Sequence, residues 1–338
     1  MSSFTQDAAQ ENLSIAEKIA NRGVSRRDFL RFCGLLAAAL ALPLDKADAI
    51  ASSFASTTPQ PVIWLELGDC TGDSEAFLRS GFQTDPLNGG NQPKLTDLLL
   101  DVISLKYHEL LMAPAGYDAE KVRTDAISTY AGKYILVVEG AIPAGASAAY
   151  CVIGGKSAES ILKEAAANAA VIIAIGSCAV DGGISAARPA ATGAVGVSSI
   201  LPAATNLINI PGCPANPANV IATIVYTIAN PGNLPPLDDS RRPIFAFDPY
   251  SNTHDHCQRL HPKDPNKHVV FAWDDGYHHR GNCLRFMGCR GPYNNSNCWS
   301  ILWNEGTCWP IQAGHGCIGC TNPNFWDTMT PFYIKRYT

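Results

Sequence analysis

The stretch from Val62 to Gly72, VIWLELGDCTG, places a mostly apolar run of six residues directly before a loop of glycine, aspartate and cysteine. Such a run predicts a buried β-strand. Three more apolar, β-branched runs follow, at 134–138, 171–175 and 207–210. Between the strands, leucine spacing predicts a helix over 94–112, and an alanine-rich segment predicts another over 158–170. Strands that alternate with helices predict an α/β fold with a doubly wound parallel sheet.

The composition changes after about Arg241, where Gly, Asn, His, Trp and Cys replace the aliphatic runs. A stretch of this kind closes an apolar core poorly, and metal binding can supply folding free energy instead. We place the domain boundary between Pro235 and Pro243. The sequence therefore predicts a sheet domain over 50–240 and an irregular, metal-binding domain over 241–338.

Charge and cysteine content limit the class of protein. The 338 residues carry a formal net charge of -5, without a long run of like charge, so nucleic-acid binding is not expected. Twelve cysteines in a chain of this length are not typical of a small disulfide scaffold. Beyond the N-terminal segment, no stretch approaches about 18 consecutive apolar residues. We therefore expect any membrane attachment to come through another protein.

The N-terminal segment has the pattern of a twin-arginine export signal. The sequence SRRDFL at 25–30 precedes an apolar run over 32–44 and the triplet ADA at 47–49. Residues 1–49 are predicted to be a signal segment cleaved after Ala49, which would make the mature chain periplasmic. Twin-arginine export carries proteins already folded around their cofactors, which suits a metalloprotein. The alternative is an uncleaved N-terminal helix on a cytoplasmic protein.

Three cysteines, Cys70, Cys178 and Cys213, each follow a predicted strand. The carboxyl ends of parallel strands meet at one edge of a sheet, where ligands bind, so the three thiols are expected to converge. Each lies near glycine, which lets backbone N–H groups approach an anionic cluster. The pattern predicts an iron-sulfur site. The alternative is three unrelated buried cysteines, which behave as small hydrophobic side chains.

The second half of the chain concentrates sulfur and imidazole ligands. In chain order they are His254, Cys257, Cys283, Cys289, Cys298, Cys308, Cys317 and Cys320. These ligands are enough for two clusters. The CxxC pair at 317–320 would by itself also suit zinc or a redox disulfide. However, zinc sites usually pair two such motifs, whereas these ligands are spaced irregularly, as they are when a chain wraps cubic clusters.

Together, the motifs resemble those of the small subunit of nickel-iron hydrogenases. They are CTG at 70–72, GSCA at 176–179, PGCP at 211–214, HDHC at 254–257, GCRGP at 288–292 and WPIQAGHGCIGC at 309–320. The similarity runs from about Pro61 to Asp327 in the family's order. It implies a flavodoxin-like domain followed by an irregular cluster-binding domain. It also implies a relay of electrons from H2 oxidation, at a large subunit holding the nickel-iron centre, to an external acceptor such as a cytochrome.

By position, the resemblance assigns ligands to three clusters. The proximal [4Fe-4S] cluster receives Cys70, Cys178 and Cys213. The distal [4Fe-4S] cluster receives His254, Cys257, Cys283 and Cys289. The medial cluster receives Cys298, Cys317 and Cys320, and three thiols favour [3Fe-4S]. No residue of this chain is expected to be catalytic alone, because the hydrogen chemistry belongs to the large subunit of a heterodimer or higher oligomer.

The first departure from the family is Asp73, which stands where most relatives carry the second cysteine of a CxxC motif. We predict that its carboxylate ligates the proximal cluster, as a harder ligand than thiolate. The alternative is that Asp73 caps a turn or helix start while water or Glu75 fills the site. The pattern resembles the oxygen-tolerant actinobacterial-type group, so oxygen tolerance is an expectation. Gly72 and Gly183 stand where another oxygen-tolerant class carries extra cysteines, so that class's modified cluster is not expected.

Two further residues have open roles. Cys308 either completes a [4Fe-4S] medial cluster or is a spare buried thiol. Glu75 falls where the family contacts its large subunit, which implies a proton relay, although a helix N-terminus also favours an acidic residue.

Two other classes of protein remain as alternatives. One is the cluster-binding electron-transfer subunit of another respiratory complex, which would lack the second, cysteine-rich half. The other is an exported zinc or disulfide structural protein.

Overall fold

The computed structural model describes residues 13–21, 48, 51, 52, 54, 58–79, 102–259, 268–274, 276–303 and 306–334. Its core is a five-stranded parallel sheet with the strand order β2-β1-β3-β7-β9. The sheet strands are β1 Gln60–Glu66, β2 Ile103–His108, β3 Ile135–Glu139, β7 Val171–Ile175 and β9 Leu207–Ile210. This order is that of flavodoxin-like folds, so the predicted doubly wound α/β class is confirmed.

Shorter elements complete the fold. Two two-stranded antiparallel pairs are β4 Ile142–Pro143 with β8 Ala194–Val195, and β5 Val152–Ile153 with β6 Lys156–Ser157. The helices of the sheet half are α1 Ile15–Asn21, α2 Gly72–Leu78, α3 Tyr117–Thr129, α4 Ala158–Ala166, α5 Gly176–Asp181, α6 Gly183–Ala186, α7 Val197–Ile200 and α8 Pro217–Ala229. The predicted helix over 158–170 is therefore present as α4, four residues shorter at its C-terminal end.

The predicted helix over 94–112 is wrong at residues 103–108. These residues form β2, which pairs in parallel with β1 from Ile103 opposite Gln60 to His108 opposite Trp64. The leucine spacing has a helical period, but backbone hydrogen bonds to β1 outweigh that local signal, because strand formation depends on context. Residues 94–101 lie outside the described part of the chain.

Hydrophobic side chains cover both faces of the sheet. Val62 and Trp64 belong to one buried cluster, while Ile63 and Leu65, which point to the opposite face, belong to the other. Helix α8 packs into the first cluster, with most of its residues buried. Phe247, beyond the predicted domain boundary, also belongs to the first cluster, so the two halves of the chain share a core.

The described part of the second half is irregular. Its helices are single turns: α9 Gly276–His279, α10 Cys298–Ile301, α11 Phe325–Thr328, and 3-10 turns at Arg285–Met287 and Gly291–Tyr293. Hydrogen bonds join this half to the sheet half: Ser177 Oγ donates to the Cys320 carbonyl at 2.6 Å, and the Asn216 side-chain amide donates to the Leu302 carbonyl at 2.6 Å. The start of α5 is thereby fixed to the CxxC pair.

Two further observations concern membranes and export. Within the described ranges, no helix is long and apolar enough to cross a bilayer. The predicted twin-arginine motif and its apolar run, at 25–44, lie outside the described residues.

Candidate metal centres

The three cysteines predicted to converge do lie together at the carboxyl edge of the sheet. Cys70 follows β1, Cys178 lies in α5 directly after β7, and Cys213 follows β9. Burial raises the pKa of the Cys178 thiol to about 12, and the nearby Cys213 thiol, Asp73 carboxyl and Cys70 thiol raise it further. Burial likewise raises the pKa of Cys213 to about 11, with Asp73 and Cys70 contributing. Buried thiols of this kind become thiolates only beside positive charge, which iron would supply.

Asp73 belongs to the same group of side chains. It lies in the first turn of α2, and its Oδ1 accepts a hydrogen bond from the Ala215 backbone N–H at 2.6 Å. Burial raises its carboxyl pKa to about 8, with Glu139 as the next cause. A Cβ atom on Gly176 would lie only 2.0 Å from Asp73 Oδ2. The glycine that begins α5 therefore makes room for this carboxylate, which faces the thiols instead of capping α2.

The backbone around the proximal group passes close to two of its sulfur atoms. A Cβ atom on Gly183 would lie 2.6 Å from Cys178 Sγ, and one on Gly72 would lie 3.1 Å from Cys70 Sγ. Glycine at these positions allows the backbone to pass close to the two sulfur atoms. The donor set of three thiols and one carboxylate fits the four ligand positions of a cubic iron-sulfur cluster.

A buried acidic network that the sequence did not predict lies behind Asp73. Glu139, at the end of β3, accepts hydrogen bonds from the backbone N–H groups of Asp73 and Ser74 at 3.0 and 3.2 Å. Ser74 Oγ donates to Glu139 at 2.5 Å and lies 3.2 Å from a Glu66 carboxylate oxygen. Burial raises the pKa of Glu66 to about 7, with Asp69 and Glu139 as further causes. This network fixes the backbone that carries Asp73.

The four residues predicted as distal ligands line one small cavity. They are His254, Cys257, Cys283 and Cys289. Backbone N–H groups point at two of the sulfur atoms: Arg259 donates to Cys257 Sγ at 3.3 Å, and Gly291 donates to Cys289 Sγ at 3.4 Å. Three thiols and one imidazole around one cavity, with N–H donors to sulfur, fit an iron-sulfur cluster with a histidine ligand.

The three residues predicted as medial ligands also form a group. Burial raises the pKa of the Cys317 thiol well above its ordinary value, and the nearby Cys289, Cys320 and Cys298 thiols add to the effect. Ser296 Oγ donates to Cys298 Sγ at 3.1 Å, and the Gly319 N–H donates to Cys317 Sγ at 3.3 Å. The apolar side chains of Trp303 and Trp309 pack in the same cluster as Cys298 and Cys317.

The three groups are connected in series. On one side, the Cys320 thiol lies close enough to Cys213 for the Cys213 backbone to lower its pKa and the Cys213 thiol to raise it. On the other side, the Cys317 N–H donates to Cys289 Sγ at 3.3 Å. Cys320 and Cys317 both belong to the predicted medial group, so that group contacts the proximal group through Cys320 and the distal group through Cys317. Along these contacts the predicted groups follow the order proximal, medial, distal.

Cys308 and Glu75 lie outside these groups. Cys308 exchanges backbone hydrogen bonds with Trp303, and it is not among the groups that shift the pKa values of Cys298, Cys317 or Cys320. Glu75 is exposed on α2 and pairs with Arg79 at 3.6 Å. In the described part of the chain, all eleven cysteines are free thiols.

Family models match both halves of the chain. The model described as NADH ubiquinone oxidoreductase, 20 Kd subunit, matches residues 87–227. The model of the C-terminal part of the NiFe/NiFeSe hydrogenase small subunit matches residues 250–333. The two matches lie on either side of the predicted domain boundary.

Similar proteins cover nearly the whole chain. The quinone-reactive Ni/Fe-hydrogenase small chain of Wolinella succinogenes is 41% identical over 318 residues, which span 93% of this chain and 85% of the relative. The periplasmic [NiFe] hydrogenase small subunit 1 of Nitratidesulfovibrio vulgaris is 39% identical, over 94% of this chain and 95% of the relative.

Solved structures share the fold. A reduced, active Ni-Fe-Se hydrogenase from Desulfomicrobium baculatum superposes with a TM-score of 0.72 at 30% identity, covering 82% of this chain and all of that chain. An actinobacterial-type NiFe-hydrogenase from Ralstonia eutropha H16 gives a TM-score of 0.69 at 24% identity, over 83% of this chain and 84% of that one. The second likeness shows a common fold.

The fold and the three sulfur-rich sites define an iron-sulfur electron-transfer protein, and the relatives define which one. The chain belongs to the family of nickel-iron hydrogenase small subunits. It is thus the small-subunit part of a hydrogenase, an oxidoreductase, which decides between the three classes of protein that the sequence left open.

Proposed function

We propose that the chain carries electrons between a nickel-iron large subunit and an external acceptor through three iron-sulfur clusters in series. The observation that carries this proposal is the connected order of the thiol groups, with Cys320 beside Cys213 and Cys317 beside Cys289. When bound, each cluster takes up and releases one electron at a time.

At the proximal site, Cys70, Cys178, Cys213 and Asp73 are the proposed ligands of a [4Fe-4S] cluster. The Ala215 N–H fixes the Asp73 carboxylate, and Glu139 fixes the backbone of its turn. A carboxylate holds iron less tightly than a thiolate does, so this ligand can reorient with oxidation state and retune the potential. Oxygen tolerance of the complex is part of the proposal.

At the other two sites, the proposed ligands of a distal [4Fe-4S] cluster are His254, Cys257, Cys283 and Cys289. The proposed ligands of a medial [3Fe-4S] cluster are Cys298, Cys317 and Cys320. Side chains between the sites, such as Trp309 and Ile311, are buried and exclude water from the space between the clusters. N–H donors to the cysteine sulfur atoms stabilise the negative charge of the bound clusters.

The partners of this relay follow from the family. Hydrogenase small subunits work with a large subunit, and we propose a heterodimer in which hydrogen is oxidised by the large subunit. We also propose that the twin-arginine segment directs the complex to the periplasm, and two relatives are named as periplasmic. Replacing Arg26 and Arg27 with lysine should leave the complex in the cytoplasmic fraction, whereas unchanged fractionation would contradict export by this signal.

The test of the ligand groups removes one thiol from each group in the anaerobically purified heterodimer. Cys178→Ser, Cys320→Ser and Cys257→Ser should each abolish a different cluster signal in redox-poised EPR spectra. Cys151→Ser is the matched control, because Cys151 is a half-buried free thiol outside all three groups, and it should leave every signal intact. Loss of one common signal in two of the three variants would contradict three separate sites.

Asp73 has its own test. Asp73→Asn keeps the shape of the side chain but removes the charge that binds iron, so the proximal spectrum and potential should change. Asp73→Cys should convert the cluster to all-thiolate ligation and restore a stable spectrum with a different potential. A proximal spectrum and potential that are unchanged in Asp73→Asn would eliminate the carboxylate ligand.

A further inference from the structure

One buried arginine, Arg259, lies beside the distal ligands. Arg259 is 7% exposed and lines the same cavity as His254 and the three distal cysteines. Its guanidinium donates to the carbonyl oxygens of Asn282 at 3.1 Å and His278 at 3.5 Å. In the part of the chain that the structure describes, no carboxylate pairs with it. Hydrogen bonds to neutral carbonyl oxygens do not neutralise a buried positive charge, and burying a charge normally requires a partner of opposite charge.

Among the described residues, the distal site is where the negative charge that would compensate Arg259 can lie. Burial lowers the pKa of its guanidinium, whereas the nearby Cys257, Cys283 and Cys289 thiols oppose that effect. A [4Fe-4S] cluster held by thiolates is anionic and becomes more anionic when it accepts an electron. A fixed positive charge at close range in a poorly hydrated site therefore stabilises the reduced form more than the oxidised form.

We propose that Arg259 is the counter-cation of the distal cluster and that its charge raises the reduction potential of that cluster. The proposal rests on the distal ligation given above. By its position, Arg259 acts on the last cluster before the external acceptor, so it favours arrival of the electron there and slows its release. Its backbone N–H, which donates to Cys257 Sγ at 3.3 Å, acts in the same direction.

The same cavity offers a matched control. Arg285 also lines it, but its side chain is exposed. Water screens an exposed charge much more strongly than a buried one. Neutralising Arg285 should therefore change the distal potential much less than neutralising Arg259, although both substitutions remove one positive charge from the same site.

The experiment measures the distal-cluster potential by EPR-monitored redox titration of the whole heterodimer. Arg259→Gln should shift the distal potential to lower values, and Arg285→Gln should shift it less. Arg259→Lys, which keeps the charge, should lie closer to the wild type than Arg259→Gln. These results would support the counter-cation role, and the iron content of each variant shows whether the clusters remain.

Two results would overturn the inference. One is an Arg259→Gln protein that keeps its distal cluster at an unchanged potential. The other is equal loss of the distal cluster in Arg259→Gln and Arg259→Lys, which would show a role in holding the two carbonyl groups and not in charge. Absence of a distal cluster from the wild-type heterodimer would instead refute the proposed function, so the two failures are distinguishable.

Discussion

Gly176→Ala should displace the Asp73 carboxylate from the proximal cluster. The new Cβ would lie 2.0 Å from Asp73 Oδ2, whereas real Cβ contacts essentially never fall below 3.0 Å. The carboxylate must therefore retreat by about 1 Å or more. Metal–ligand distances tolerate deviations of only about 0.2 Å, so a retreat of this size breaks an iron–oxygen bond. It also strains the hydrogen bond from the Ala215 N–H.

The expected cost to stability has two parts. Gly176 has a φ of +76°, and alanine in this left-handed region costs roughly 1–2 kcal/mol. Forcing a side chain into occupied space adds about 1–3 kcal/mol. Gly155 is the matched control, because its φ is +82° and a Cβ there would meet nothing within 4 Å. Gly155→Ala should therefore show the backbone cost alone.

The assay compares EPR spectra, iron content and thermal inactivation of the two alanine variants with those of the wild-type heterodimer. Gly155→Ala should inactivate at a slightly lower temperature with all three cluster signals unchanged. Gly176→Ala should be less stable still and should show an altered proximal signal with normal medial and distal signals. An unchanged proximal spectrum and potential in Gly176→Ala would refute the placement of Asp73 on the cluster.

Other substitutions test separate parts of the account. Cys308→Ser should leave the medial signal and the iron content unchanged, and loss of iron per heterodimer would show that Cys308 is a fourth medial ligand. Burial raises the pKa of Glu66 from 4.5 to about 7. The folded protein therefore loses stability as Glu66 ionises, while the pH rises from about 4.5, the pKa of an unfolded glutamate, through about 7. Glu66→Gln should therefore gain thermal stability relative to the wild type between about pH 5 and about pH 8, and a constant difference across that range would contradict this assignment. If Glu75 relays protons, Glu75→Gln should slow hydrogen oxidation while cluster spectra stay unchanged, whereas unchanged turnover would leave it as the surface partner of Arg79.

The sequence predicted the strands correctly where a strand has a distinctive local pattern of residues. The runs at 62–67, 134–138, 171–175 and 207–210 are strands because buried parallel strands consist of continuous β-branched and aliphatic residues. It failed at 103–108, where Ile103 and Leu105 belong to an apolar pattern of helical spacing but lie in a strand that pairs with β1 at the edge of the described sheet. That pairing is non-local, so no window of the sequence contains it.

The same distinction holds at the sites. Cys70, Cys178 and Cys213 were predictable because strand ends meet at one edge of a parallel sheet. The network of Glu66, Ser74 and Glu139 was not, because its members lie on different elements, and an acidic residue that ends a strand has no distinctive local signal. Arg259 was likewise not predicted, since its importance comes from burial and from the absence of a carboxylate partner among the described residues.

The most direct test of the relay separates hydrogen activation from electron transport. Exchange of hydrogen with deuterium at the large subunit needs no electron acceptor, whereas hydrogen-driven reduction of a dye needs the whole chain of clusters. The Cys320→Ser heterodimer, with its medial site disrupted, should keep isotope exchange near the wild-type rate and lose most dye reduction. Dye reduction that persists at the wild-type rate, with the medial signal absent, would contradict a relay through three connected sites.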